Sequence, residues 1–235
     1  MTEASPKKAA KPELDARERL IRAGLEVFAH FSFDGATTRM LASRAGVNLA
    51  AIPYYFGSKE SLYQAVIQHV IDQIRARSAA ELMRVRGRMA SGPVTPEEAL
   101  CLLQDLFTAV SGTMLGTAEA KHWGQLMVRE QMEPSSAYEL LYDQLLGPMQ
   151  GLACVLVARV LDRDPNAPEV ILRTHALIGQ IISFRAARET VCRRLAVKDL
   201  SPEQVRHIQG IINEHVAIVL CGLQARPQDG ENGQG

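Results

Sequence analysis

The run from Thr37 to Leu62, TTRMLASRAGVNLAAIPYYFGSKESL, constrains this chain more than any other stretch. It holds two short helical patterns joined by Ala45-Gly46-Val47, the size of a helix-turn-helix. Thr37 is placed to cap the first helix, because its hydroxyl can accept from a free first-turn N–H. Leu41, Ala42 and Ala45 give that helix an apolar face. Gly46 suits the left-handed position after a helix end. Asn48 is expected to cap the second helix, Leu49 to Tyr55, which Phe56-Gly57 breaks. Ser58 then caps a long third helix, with Glu60 in its first turn where negative charge complements the dipole. Leu41, Ala45, Val47, Ile52, Phe56 and Leu62 are expected in the core. In such a motif the first helix crosses the duplex backbone and the second enters the major groove. Ala50 and Ala51 would let the second helix sit deep against base edges. Tyr54, Tyr55 and Lys59 carry hydroxyl and ammonium groups suited to phosphate. Thr38 and Arg39 open the preceding helix, where backbone N–H groups also face an anion.

The rest of the chain reads as helices between clear breaks. Residues 1–13 are polar, with two prolines and three lysines, and are expected to be a disordered arm. From Leu14 an amphipathic stripe, Ile21, Leu25, Phe28 and Phe31-Ser32, runs to a turn at Phe33-Asp34-Gly35. The long helix from Ser58 continues through Val66, Val70 and Ile74 and fades near Arg86. After Ser91-Gly92-Pro93 and Thr95-Pro96, helices are expected at about 96–116, 118–132, 135–162, 167–195 and 202–224, with a kink at Gly147-Pro148. No strand pattern appears. Abundant Ala, Leu, Arg and Glu with only 5% aromatics agree with helix. The expected architecture is all-α. An N-terminal helix-turn-helix three-helix domain covers 14–62, a C-terminal helical ligand-binding and dimerisation domain covers 63–225, and a flexible tail covers 226–235.

Composition excludes more than it selects. Net charge is zero, and residues 1–62 carry nine basic and seven acidic side chains, leaving +2 there and −2 elsewhere. Nucleic-acid binding therefore has to be argued from the motif. Cys101, Cys154, Cys192 and Cys221 are too dispersed for a disulfide framework or zinc site and read as reduced thiols. The N-terminal residues lack the apolar segment expected of a signal peptide, and the apolar run Leu152 to Leu161 is short and contains Arg159. A cytoplasmic protein without membrane partner is expected. No nucleophile elbow, phosphate loop, zincin motif or dinucleotide fingerprint occurs, so no catalytic residue, metal or cofactor is expected. A helical-bundle enzyme, or a structural dimeric interaction protein, is the alternative.

The segment resembles the DNA-binding domain of TetR-type repressors: the Thr-Thr-Arg start, the Ala-Gly-Val turn and the Tyr-Phe-Gly-Ser-Lys-Glu-x-Leu run all match. HWGQLMVREQMEP followed by AYELLY resembles the CecR-type subgroup. The resemblance implies a homodimer on palindromic double-stranded operator DNA, released by a small-molecule inducer. It places DNA contacts at Thr38, Arg39, Asn48, Leu49, Ala50, Ala51, Tyr54, Tyr55 and Lys59. Pro53 departs from the pattern, where Tyr or Asn is usual. In a regular helix it would cost up to ~3 kcal/mol, so a tightened or kinked turn is expected.

Two further expectations come from the residues themselves. The stripes of 167–195 and 202–224 are too wide for one buried face, which calls for a four-helix interface with a second copy. Trp123, Met127 and Glu130 share a helix face that mixes aromatic, thioether and carboxylate groups. That composition suits a ligand pocket, with Phe107 and Met114 opposite and Tyr142, His175 and Phe184 closing it.

Overall fold

The computed structural model describes residues 15–116 and 120–225, with only the backbone of Ala120. The expected arm and tail lie outside these residues. The described chain is helical and divides into two compact units, one through Val66 and the other from Ile67.

The first unit is built from α1 (Ala16–Gly35), α2 (Thr38–Ala45), α3 (Ala51–Phe56) and the start of α4 (Lys59–Ala90). Asp15 caps α1 by accepting from the Glu18 N–H at 2.7 Å. Its buried face is Leu20, Ile21, Gly24, Leu25, Val27 and Phe28. The helix breaks at Ser32, whose φ of 63° is left-handed, earlier than the expected turn at Phe33. Phe31 therefore falls outside the stripe and is 46% exposed. Phe28, Phe33 and Tyr63 form an aromatic cluster, with Tyr63 edge-on to Phe28 at 4.8 Å and tilted to Phe33 at 5.2 Å. Gly24 is required by packing, because a Cβ there would stand 2.7 Å from Cγ2 of Val66. Leu41, Ala45, Ile52 and Leu62 are buried, whereas Val47 and Phe56 are only half-buried. The guanidinium of Arg17 covers the Phe56 ring at 5.4 Å.

The second unit contains the remainder of α4, then α5 (Pro96–Leu115), α6 (Ala120–Met132), α7 (Tyr138–Leu141), a π-helical turn (Tyr142–Leu146), α8 (Gly147–Leu161), α9 (Pro168–Ala186), α10 (Arg188–Arg194) and α11 (Pro202–Gln224). Thr95 and Ser201 form reciprocal capping boxes with Glu98 and Gln204. Pro96, Pro168 and Pro202 occupy first-turn positions whose N–H has no helical partner. The core packs α5 against α8, α9 and α11 through Leu103, Leu106, Leu156, Val157, Leu177, Ile208, Ile212 and Val216.

Two elements differ from the sequence expectation. The 167–195 helix is broken at Ala187 (φ −100°, ψ 24°), where α9 ends before α10 begins. The disturbance expected at Gly147-Pro148 takes the form of the π turn just before it. Pro148 has no N–H for the carbonyl of Gln144, and the Gly147 N–H bonds back to Tyr142 O. The continuous run Tyr138–Leu161 is 24 residues, long and apolar enough by length and composition to cross a membrane. Leu141, Leu145, Ala153, Leu156, Val157 and Val160 on that run are buried in the unit's interior.

Candidate nucleic-acid interface and effector cavity

The interface is built by α2, its turn and α3. The Thr37 hydroxyl accepts from the Met40 N–H at 3.2 Å, fixing the start of α2. Thr38 is half-buried and Arg39 exposed in the first turn. Gly46 adopts φ 63°, ψ 39° and reverses the chain. Asn48 acts differently from a simple cap: its Oδ1 accepts from the Ala50 N–H at 2.9 Å, an Asx turn one step before the helix. As a result α3 begins at Ala51, not Leu49.

That late start resolves Pro53. It stands third in the helix, where the N–H would lack an intrahelical partner anyway, and the disturbance takes the tightened form: the Ala51 and Ile52 N–H groups bond back three residues, to Asn48 O at 2.9 Å and Leu49 O at 3.4 Å. Ile52 anchors α3 at 1% exposure. Leu49 (48% exposed), Ala50, Tyr54 (81%) and Tyr55 (42%) face solvent, Ala51 is half-buried, and the two tyrosine rings meet edge-on at 4.8 Å.

Most cations of this unit are already engaged. Arg22 pairs with Glu18 and Arg44 with Glu26, while Arg19 donates to Gly46 O at 3.4 Å. Lys59, expected at a phosphate, turns inward. Its Nζ donates to Phe33 O at 2.9 Å and Ala36 O at 3.1 Å and lies 4.3 Å from the Phe33 ring centroid. Both carbonyls lie at the C-terminal end of α1, beyond its break at Ser32. Among the described residues of the unit, Arg39 is the cation with no partner in the chain.

The cavity lies in the second unit and measures about 190 Å³. Phe107, Met114, Met127, Tyr142 and His175 line it, with Leu106, Val110, Ile178 and Ile181 among its apolar walls. It reaches the surface at Gln131, Tyr142 and His175, which are exposed. Trp123, Glu130 and Phe184 do not line it. The face of α6 that does is Gly124, Met127, Val128 and Gln131, at i, i+3, i+4 and i+7. One residue of helix is a rotation of about 100°, so Trp123 points away while Met127 belongs to both stripes. Trp123 is 1% exposed under the guanidinium of Arg77, 4.8 Å from the ring centroid. Glu130 accepts from the N–H and hydroxyl of Ser135 at 3.2 and 3.0 Å, holding the turn after α6. Phe184 packs on the apolar core.

Sequence reasoning missed Arg185. It lies on the cavity wall and is 8% exposed. The signal was available: Ile178, Ile181, Ile182 and Arg185 fall at i, i+3, i+4 and i+7, and all four line the cavity. Also missed was the fixation of the π turn, which supplies Tyr142, Leu145 and Leu146 to the wall. The Gln144 carbonyl left without Pro148 accepts from Arg75 Nη2. Gln144 Oε1 accepts from Gln68 Nε2 at 3.2 Å and Arg75 Nη1 at 3.4 Å. Both partners are on the part of α4 within the second unit.

Comparison with known proteins follows the same division. Residues 20–66 match the family model described as bacterial regulatory proteins, tetR family, and residues 96–223 match the C-terminal domain of the HTH-type transcriptional dual regulator CecR. CecR of Shigella flexneri is 32% identical over 214 residues, covering 90% of this chain and 94% of that protein. RutR of Escherichia coli strain K12, an HTH-type transcriptional regulator, is 38% identical over 56 residues, 24% of this chain and 26% of RutR. Among solved structures, Mycobacterium smegmatis AmtR superposes with a TM-score of 0.61 at 16% identity, covering 94% of this chain and 96% of that one. A TetR-like regulator from Rhodococcus sp. RHA1 gives 0.59 at 16% identity, covering 91% and 100%. At these identities the structural likeness concerns the fold.

Proposed function

Since the chain belongs to the TetR family of bacterial transcription regulators, with a CecR-type C-terminal domain, we propose that it is a cytoplasmic, non-enzymatic repressor that occupies a palindromic operator as a homodimer. A small, largely apolar molecule in the cavity of the second unit releases it. The domain reading that accompanies this is a DNA-binding domain over 14–62 and a ligand-binding and dimerisation domain over 63–225.

The observation that carries the reading is the exposed face of α2 and α3, where Arg39 is unpaired beside solvent-facing Leu49, Ala50, Tyr54 and Tyr55. Thr38, Arg39, Tyr54 and Tyr55 would hold phosphates, and Asn48, Leu49, Ala50 and Ala51 would meet base edges. Lys59 would act by fixing the position of α3 and α4. Pairing draws support from apolar side chains left on the outside of α9 and α11: Ile171 (40% exposed), Leu172 (69%), Ile218 (62%) and Val219 (42%). Ile212 belongs to the chain's own core at 1% exposure, so a charge there would unfold the protein rather than separate a dimer. The contact between Arg75 on α4 and the π turn at the cavity supports a route from effector to α4. A hundredfold loss of operator affinity requires about 2.7 kcal/mol of differential effector binding.

The test is a binding titration at physiological salt, using DNA from upstream of the protein's own gene against random DNA of equal length. A dimer should prefer sites with half-sites about 34–36 Å apart. Equal affinity for both DNAs overturns the reading.

A further inference from the structure

We propose that the cavity of the second unit selects an amphipathic anion, a molecule with an apolar body and a carboxylate that Arg185 receives. This rests on reading the cavity as the effector site and adds the charge of what enters it.

Arg185 is a cation held among apolar walls. The Arg185 side chain is more than nine-tenths buried, and no aspartate or glutamate is among the residues lining the cavity. Among the described residues it forms no ion pair. Among the described residues its hydrogen bond is from Nη2 to Lys121 O at 2.5 Å, and no other protein acceptor there takes up its remaining N–H groups. Burial pulls its proton affinity below the ordinary value, and Arg188 adds repulsion that Asp199 only partly offsets. Asp199 is itself engaged by Arg188, whose Nε donates to it at 2.9 Å. Among the described residues, the acid whose charge acts on Arg185 is therefore already engaged elsewhere.

The chain also makes room for this guanidinium. It crosses α6 at Gly124, where a Cβ would stand 2.1 Å from Nε and 2.6 Å from Cδ. Any other residue at 124 would displace the arginine from the wall. Ser78, Thr113 and Gln150, also on the wall, carry no charge. A buried charge without a counter-charge is unfavourable, and a ligand that brings the opposite charge removes that penalty as it binds. Guanidinium and carboxylate match in plane and spacing, and the low-polarity walls strengthen the contact. A cationic ligand would be repelled, and a neutral one would leave Arg185 as it is.

The experiment uses the full chain with three probes of one shape, decanoate, decanamide and decylammonium. Binding is read by calorimetry and by the fluorescence of Trp123, the sole tryptophan, which immediately precedes Gly124. Decanoate should bind about tenfold to a hundredfold more tightly than decanamide, and decylammonium weakest. Arg185→Gln should erase the difference by weakening decanoate alone, and Arg185→Lys should restore part of it. If Arg185→Gln fails to fold, the order of the three probes on the wild-type protein still decides. Decanoate no better than decanamide overturns the anion. Gln150→Trp, which fills the cavity from α8, separates the two layers of the reading. If it blocks decanoate and decanamide that bind equally, the cavity stands as a binding site and the anion is overturned. If no probe binds, or the blocked variant binds as well as wild type, both fall.

Discussion

Replacing Lys59 by methionine keeps its apolar stem over the Phe33 ring and removes the ammonium. The ammonium makes two hydrogen bonds, to Phe33 O and Ala36 O, and a cation–π contact. Charge-assisted bonds of this kind contribute about 1.5–3 kcal/mol each, and an exposed cation–π contact about 0.5–1 kcal/mol. Lys59 is only half-buried, so water takes over part of the role on both sides when the ammonium is lost. A net loss of about 2 kcal/mol follows, which is roughly a thirtyfold rise in the open population of the first unit. Hydrogen exchange read on peptides from residues 20–66 should show amide rates up by that factor, with peptides of α5 to α11 unchanged. Operator affinity should fall with the loss of fold, and the slope of its logarithm against salt should stay the same. A phosphate contact predicts the reverse, with exchange unaltered and the salt slope reduced by about one. That second outcome would refute the inward placement of Lys59.

Three other outcomes follow from particular contacts. Gly24→Ala puts a methyl 2.7 Å from the stiff, buried Val66 side chain. It should destabilise the first unit by about 1–3 kcal/mol, seen as a lower unfolding midpoint; an unchanged midpoint would mean α1 and α4 are looser than this. Arg75→Met removes the donor to Gln144 O and changes no residue that lines the cavity. Effector should still bind in calorimetry but release DNA far less, and intact release would sink the α4 route. Ile218→Asp combined with Val219→Asp charges exposed positions of α11 and should give a folded monomer in sedimentation with weakened operator binding. A dimer that persists would place the interface elsewhere.

Local signals in the sequence determine much of this protein. Thr37, Gly46 and Ser58 cap or terminate helices through contacts with neighbours a few residues away, so the helix-turn-helix is legible from order alone. The capping boxes at Thr95 and Ser201, and the prolines at 96, 168 and 202, mark helix starts for the same reason. Apolar periodicity similarly foretells that α9 and α11 have more apolar surface than one chain covers. Tertiary structure decides what depends on rotation and on distant partners. An Asx turn at Asn48 shifts α3 by two residues and makes Pro53 harmless. Carbonyls at the C-terminal end of α1 hold Lys59 inward across sequence distances of 26 and 23 residues. The cavity shows the limit most clearly. Composition pointed to helices that do line a cavity, but Trp123 and Gly124 differ by one step around α6, and the packing of α9 chose the glycine. Arg185 could be read as a surface charge until burial left it without an acid, because a counter-charge is a property of the space around a residue and no local pattern records it.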